Sequence, residues 1–187
     1  INIFENDDLF LISSEKVRDR FDVFFHQPSY HKLLEKLKKK EKQGKCDLKN
    51  LSEYTKVEGM NEVEEKELEE SNENPTYKYI DIGSIDKERC FIMQDEWQEG
   101  TKEGLPARAK LFIKTNDVLF SKPFRSLQKV VIIPKDLNKQ WASSGFWGIR
   151  PENYNEACLL WGIFRSNIIQ KQLIHLASGY TQRELND

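Results

Sequence analysis

The sequence predicts an α+β fold in which a twisted, irregular β unit is followed by a C-terminal helical hairpin. Short β-branched and aromatic runs crowd residues 77–150, whereas residues 155–176 carry apolar side chains at helical spacing. No strand–helix–strand alternation joins these runs, so a doubly wound parallel sheet is not expected. The order of the elements, strands first and helices last, decides the fold class.

The first 44 residues are expected to form an N-terminal segment with one strand or hairpin (residues 3–14) and one amphipathic helix. Ser29 can cap a helix after Pro28. Apolar residues then follow at i, i+3, i+4 and i+7: Tyr30, Leu33, Leu34 and Leu37. The opposite side is rich in lysine. It is either a phosphate-facing surface or, the favoured interpretation, a solvated helix face ending near Gly44.

Residues 45–187 are expected to form the main domain, with an acidic segment at 62–73 inside it. That segment is dominated by Glu and has little apolar content, which is typical of a solvated helical insertion or a mobile loop. DNA would repel it, so we expect it to lie away from any nucleic-acid surface. An alternative role is contact with a basic partner.

Several short runs predict the strands of the β unit. They are residues 77–86, 90–93, 111–113, 117–121 and 130–134, and a strand within 141–151 preceded by a Ser-Ser-Gly turn. Asn116 stands in a turn and is expected to adopt a positive φ, and Asp117 is expected to cap that turn. The helical region 155–176 is expected to break into two helices at Ser166-Asn167.

Positive charge is concentrated in one part of the chain. Residues 104–150 contain nine Lys/Arg and two acids, a local net charge of +7, although the whole chain carries −2. A basic segment inside an acidic chain indicates a local anionic partner rather than a uniformly basic protein.

The composition also excludes several classes of protein and site. No window approaches 18 apolar residues, so no membrane span is expected. Cys46, Cys90 and Cys158 are far apart, which fits a reducing cytoplasm, and the three histidines have no ligand spacing, so neither a metal nor a cofactor is expected. The missing initial Met, and a capping-box pattern at Thr181 and Glu184, suggest a fragment of a longer natural chain.

Four stretches, in order, carry a resemblance to a known family. They are residues 20–37, residues 104–127 with an Asn-Asp-Val-Leu turn, residues 144–151 (SGFWGIRP), and residues 159–185 with a Gly-Tyr-Thr element. Together they resemble the target recognition domain of a type I restriction-modification DNA specificity (S) subunit. Asn116 replaces the usual Gly of the turn, and Tyr180 replaces a small Ser.

The resemblance implies a module without catalytic residues of its own. It would recognise one half of a bipartite site on double-stranded DNA in a prokaryotic cytoplasm. Its implied partners are a modification (methyltransferase) subunit and, through it, a restriction subunit. Two alternatives stay open: a protein-interaction scaffold that does not bind DNA, and the recognition region of a fused adenine methyltransferase/restriction enzyme.

Candidate DNA-binding residues lie in the basic segment and at the ends of the matching stretches, because phosphate contacts need cations and base edges need Arg, Gln or Asn. Arg108 and Lys110, two apart on a predicted strand, are expected to share a face. Arg125 and Gln128 are favoured for bases. The full set is Arg108, Lys110, Lys122, Arg125, Gln128, Lys129, Arg150, Tyr180, Gln182 and Arg183, with Lys122 and Lys129 favoured for phosphates.

Catalytic interpretations are weaker. The Asn-Pro-Thr-Tyr run at 74–77 is close to an adenine-methyltransferase motif, but it lacks the second Pro and a nucleotide-binding Gly-rich turn. The acids are too concentrated in one run for a nuclease. Cys158 and His175 share the apolar helical region, where a buried, inert Cys is favoured over a thiol nucleophile. Core packing is likewise favoured for the four residues that could stack on bases: Trp141, Phe146, Trp147 and Trp161.

Overall fold

A computed structural model describes residues 28–46, 48, 53–61, 64, 66, 75–93, 97–177 and 185. These residues contain three helices: α1 (Pro28–Lys42), α2 (Tyr154–Arg165) and α3 (Asn167–Leu176). The strands are β1 (Thr55–Lys56), β2 (Tyr77–Ile80), β3 (Gln98–Gly100), β4 (Ala109–Ile113), β5 (Val118–Ser121), β6 (Val130–Ile132), β7 (Gln140–Ser143) and β8 (Phe146–Arg150). The predicted α+β class, with its C-terminal helical pair, is confirmed.

The strands form two four-stranded sheets. The first, which we call the helix-side sheet, has the order β1-β8-β5-β6 and is antiparallel throughout. The second, which we call the outer sheet, has the order β3-β2-β7-β4, and only its β2–β7 pair is parallel. Along the chain, β1 belongs to the helix-side sheet, β2 to β4 to the outer sheet, β5 and β6 to the helix-side sheet, β7 to the outer sheet and β8 to the helix-side sheet. Neither sheet therefore comes from a continuous stretch of sequence.

The main core lies between the two sheets. Side chains alternate across a strand, so Leu119 of β5 and Val131 of β6 share one core with Ile80 of β2 and Ile113 of β4. The residues on either side of Leu119 face the opposite way and join a second core. The helix-side sheet is therefore buried on both faces, which explains why its strands are continuous apolar runs rather than alternating ones.

The second core lies between the helix-side sheet and the two C-terminal helices. Phe120 of β5 stacks on Phe164 of α2, with ring centroids 4.3 Å apart. The indole N–H of Trp161 donates to the carbonyl of Val130, which lies on the outer edge of β6. Trp161 thus combines apolar packing with a hydrogen bond to an edge strand.

One residue joins the two helices of the hairpin, as predicted. The Ser166 backbone N–H donates to the Ile163 carbonyl at the end of α2, and its side-chain oxygen accepts from the Ile169 N–H at the start of α3. Helix α1, which begins at Pro28, packs on α3 through Tyr30, whose ring stacks on His175 at 4.9 Å. The division of the chain at residue 44 stays a prediction.

The turn before β5 has the predicted conformation. Asn116 has a φ of 72°, and the Asp117 carboxylate accepts from the Lys114 backbone N–H at 2.7 Å. Strand β8 also follows the expected Ser-Ser-Gly turn, but β7, just before it, is a further strand that the sequence did not predict. The strand predicted at residues 3–14 and the capping box at Thr181 and Glu184 lie outside the described residues.

Candidate nucleic-acid interface

The Ser144-Gly145 turn joins the two sheets and marks one end of the molecule. Strand β7 of the outer sheet ends at Ser143, opposite Ala109 at the start of β4. Strand β8 of the helix-side sheet begins at Phe146, opposite Ser121 at the end of β5. Strands of both sheets end at this turn. The loops that leave the neighbouring strands here therefore lie at the same end of the two-sheet sandwich.

Five predicted DNA-binding residues lie at this end, which we call the basic end. Arg108 immediately precedes β4, Lys122 immediately follows β5, and the connection from β5 to β6 carries Arg125, Gln128 and Lys129. Arg108, Arg125 and Gln128 are exposed, while Lys122 and Lys129 are half-buried. Separate positions in the sequence thus become one surface through the antiparallel pairing.

Backbone hydrogen bonds hold the loops of the basic end together. The Lys122 N–H donates to the Gly145 carbonyl at 2.9 Å, and the Ser144 N–H donates to the Arg108 carbonyl at 2.7 Å. The Lys129 ammonium donates to the Ile82 carbonyl at 2.7 Å, which ties the loop after β2 to the start of β6. A lysine ammonium has three donors, so this bond leaves two for another acceptor.

The cations of the basic end have no salt-bridge partner within the described part of the chain. There, Arg108, Lys122, Arg125 and Lys129 make no ion pair with an acidic side chain. Two carboxylates of the nearby loop, those of Asp81 and Asp86, cap turns: Asp81 accepts from the Ile82 N–H, and Asp86 accepts from two backbone N–H groups. Those two backbone bonds and nearby cations outweigh desolvation and hold the pKa of Asp86 below its usual range.

An aromatic ring borders this end. Trp147 of β8 is half-buried, packs against the second core, and has the Lys56 ammonium 4.2 Å and the Lys122 ammonium 5.1 Å from its ring centroid. Core packing was expected for Trp147. The structure adds two cations over its ring: Lys56 from β1 and Lys122 from the residue after β5. Lys56 was not a candidate because β1, with two residues, is too short to leave a sequence pattern.

Lys110 lies on β4 but does not share a regular strand face with Arg108. The pairing of β4 with β7 shifts between Ala109 and Leu111, so Lys110 occupies an irregularity. Arg108 precedes the strand altogether. A bulge thus interrupts the alternation on which the expected shared face depends, and the shared face stays a prediction. Both side chains are nevertheless exposed.

Arg150 lies at the opposite end of the helix-side sheet. Its guanidinium donates to both carboxylate oxygens of Asp117, each at 2.8 Å, and to the Phe112 carbonyl at 3.1 Å. Asp117 is 1% exposed. This pairing raises the pKa of Arg150 above its usual value. DNA contact by Arg150 stays a prediction. In the structure, its guanidinium is already paired with the Asp117 carboxylate through two hydrogen bonds.

Three further candidates, Tyr180, Gln182 and Arg183, lie outside the described residues. Leu185 is described, and its N–H donates to the Lys122 carbonyl at 3.0 Å. The end of the chain thus returns to the basic end at this residue.

The structure corrects one expectation about the thiols. Cys158 is exposed on α2, not buried. Only one face of α2 packs on the sheet, and Ala157 lies on that face whereas the next residue, Cys158, lies on the solvent face. His175 is buried and stacks on Tyr30 from another helix. Among the described residues, no cluster of three or more His, Cys, Asp or Glu is arranged to hold a metal, and no helix is long and apolar enough to cross a membrane.

The solved structures that are similar to this chain include two from type I R-M systems. One is a chain from a study of complex assembly and conformational transition of the type I R-M system, with 26% identity and a TM-score of 0.56, covering 71% of this chain and 32% of that one. The other is the HsdS subunit from Thermoanaerobacter tengcongensis, with 25% identity and a TM-score of 0.45, covering 60% of this chain and 27% of that one. No protein-family model and no curated protein sequence matches.

The first of these two structures supports the family resemblance, and the chain spans about a third of its length. The similarity covers 71% of this chain, so it concerns much more than one motif. The resemblance that the sequence indicated is confirmed: in its fold, this chain is similar to the target recognition domain of a type I restriction-modification specificity subunit.

Proposed function

We propose that this chain recognises one half of a bipartite sequence in double-stranded DNA and positions the other subunits of a type I restriction-modification system. Two findings support the proposal. The fold is similar to a chain of such a system, and five candidate residues from a stretch of 22 positions, 108 to 129, lie at one end of the sandwich.

The observation that carries the proposal is the absence of salt-bridge partners for the cations of the basic end. Four cations lie on one surface without an acidic partner among the described residues. DNA phosphates would supply the missing anions, and release of their counterions would make binding steeply dependent on salt. Exposed Arg125 and Gln128 can in addition form bidentate contacts with guanine and adenine.

In this proposal Gln128 and three of the four cations have separate roles. Lys122 and Lys129 contact phosphates, because both are held to the scaffold by hydrogen bonds and still have free ammonium donors. Arg125 and Gln128 contact bases from the exposed connection between β5 and β6. Methylation and cleavage belong to partner subunits in a prokaryotic cytoplasm, so the chain itself needs no cofactor.

The test is fluorescence anisotropy of this chain with randomised duplex DNA over a salt titration. We expect Lys122→Ala/Arg125→Ala/Lys129→Ala to weaken binding roughly 100-fold and to lower the salt slope by roughly two to three units, because each lost phosphate contact removes about 0.9.

A control variant removes the same charge away from the basic end. Lys102, Lys135 and Lys139 are exposed and lie in loops at the other end of the two sheets. Their triple alanine variant should bind as the wild type does. Equal losses in both triple variants would show that net charge, not the basic end, governs binding. Salt-independent binding, or none at 50 mM salt, would favour a protein-interaction scaffold.

A further inference from the structure

We propose that Gly145 positions the cations of the basic end, because the space of its missing side chain holds the Arg108 guanidinium. This inference rests on the proposed DNA-binding role and adds a residue to it. Gly145 itself carries no group that could contact a base or a phosphate other than its backbone. Its effect on DNA would act through Arg108 and, more indirectly, through Lys129.

The evidence is the space around Gly145. A Cβ atom built on this residue would lie 2.8 Å from Nη2 of Arg108 and 2.6 Å from Cδ1 of Ile82. Real Cβ atoms do not approach other atoms so closely, so both side chains would have to move. The residue is buried. Its φ is outside the left-handed region that favours glycine. Glycine is therefore required here because a side chain would not fit, and not because the backbone adopts a conformation that favours glycine.

Two hydrogen bonds connect the surroundings of Gly145 to two further cations, Lys129 and Lys122. The Ile82 side chain that covers Gly145 belongs to the residue whose carbonyl accepts from the Lys129 ammonium. The Gly145 carbonyl accepts from the Lys122 N–H. A side chain at position 145 would thus press directly on Arg108 and, through Ile82, on the loop that holds Lys129.

The other described glycines do not have this environment. A Cβ on Gly148, which lies in β8, would meet Val57 and Leu119 of the apolar core. Gly83 and Gly162 have open space around the same position. No described glycine except Gly145 has a charged side-chain atom among the nearest neighbours of its Cβ position. Gly145 is therefore distinguished by its contact with a candidate DNA-binding cation.

The first test compares Gly145→Ala with Gly162→Ala in the anisotropy assay. We expect Gly145→Ala to weaken binding about tenfold and to lower the salt slope by about one unit, the effect of one lost phosphate contact. Gly162→Ala should leave both unchanged. Arg108→Ala should reproduce the loss, and adding Gly145→Ala to it should cause little further loss, because two changes that act through one contact are not additive.

Two further variants keep the test valid if the methyl group of Gly145→Ala is poorly accommodated. Gly145→Ala/Ile82→Ala removes the apolar contact and leaves only the contact with Arg108, so it should still weaken binding, whereas Ile82→Ala alone should not. Thermal unfolding of each variant separates loss of the fold from loss of the cation. Full additivity of Gly145→Ala and Arg108→Ala would overturn the inference.

A measurement without DNA makes failure of this inference distinguishable from failure of the proposed function. The NMR signal of the Arg108 side-chain Nε–H group should shift in Gly145→Ala and not in Gly162→Ala. An unchanged signal would refute the role of Gly145 even where the wild type binds DNA. If the signal shifts but the wild type binds no DNA, then Gly145 positions Arg108 and the proposed function is wrong.

Discussion

The two ends of the sandwich use their cations in opposite ways. We call the end away from the Ser144-Gly145 turn the paired end. There, the Arg150 guanidinium donates to both carboxylate oxygens of Asp117, and the Lys114 ammonium contacts the Glu64 carboxylate. At the basic end, the described residues supply no carboxylate to the four cations. Two acids of that end, Asp81 and Asp86, bond to backbone N–H groups instead.

This difference separates charge that stabilises the fold from charge that is available to a partner. Asp117 is almost completely buried, and a buried carboxylate is tolerated only when its oxygens are satisfied. The exposed cations of the basic end lose little hydration, so leaving them unpaired costs the fold little. The paired end is therefore expected to respond to mutation in stability, and the basic end in binding.

The largest stability effect is expected for Asp117→Ala. The change removes the bidentate partner of Arg150 and the cap of the Lys114 N–H, and it leaves a half-buried guanidinium without its anion. We expect a loss of about 3 kcal/mol in the free energy of unfolding, measured with urea. The salt slope of DNA binding should not change.

Asp136→Ala is a matched control, since Asp136 is exposed in a loop at the same end. It should change the free energy of unfolding by less than about 0.5 kcal/mol. A similarly small loss in Asp117→Ala would remove the stabilising role that we assign to the paired end.

A smaller, pH-dependent effect is expected for Glu64→Gln. Burial raises the pKa of Glu64, but hydrogen bonds from Lys114 and the Asn61 N–H, with the charges of Lys114 and Arg150, outweigh it and hold the pKa below its usual range. A lowered pKa stabilises the fold above the unfolded value, and this contribution is lost as the pH falls through the folded value. The wild type should therefore lose more stability than Glu64→Gln as the pH falls from 7 to 3.

Unfolding in urea at several pH values measures this difference. Glu99→Gln provides the comparison, since Glu99 is exposed on β3. Its pH dependence should match that of the wild type. Parallel profiles for the wild type and Glu64→Gln would show that the contact with Lys114 is too solvated to matter.

The smallest stability effect is expected for Arg125→Ala at the basic end. The side chain is exposed, and its 3₁₀ turn is held by a backbone bond from Ser126 to Pro123 and by the Ser121–Ser126 hydroxyl pair. We expect a change within about 0.5 kcal/mol, measured by thermal unfolding. A loss above 1 kcal/mol would mean that Arg125 supports the fold, and the contrast between the two ends would no longer hold.

Elements with strong local signals were predictable from the sequence. The apolar runs of β4, β5 and β6, the Ser166 break between α2 and α3 and the positive φ of Asn116 depend on residues within one turn or one strand. Strands β1 and β3 were not predictable, because they have two and three residues and are stabilised by their partners across the sheet.

The basic end could be predicted only in part. Its charged residues are visible in the sequence as a local excess of Lys and Arg, but their meeting depends on strand register and on which strands share a sheet. The same reason explains why Arg150 was grouped with them. It is close to Phe146 in sequence, yet it stands at the far end of the same strand, beside Asp117. The contact of the Arg108 guanidinium with Gly145 could not be predicted, because no sequence pattern indicates it.

The parallel pairing of β2 with β7 also affects how the chain reaches its folded state. The Lys78 N–H bonds to the Gln140 side chain, 62 positions away, and each sheet draws its strands from both sides of the other sheet's strands. Closing so long a loop costs entropy before any contact repays it. The outer sheet is complete only when β7 has been supplied, and the helix-side sheet, with the core between the two sheets, also needs β8.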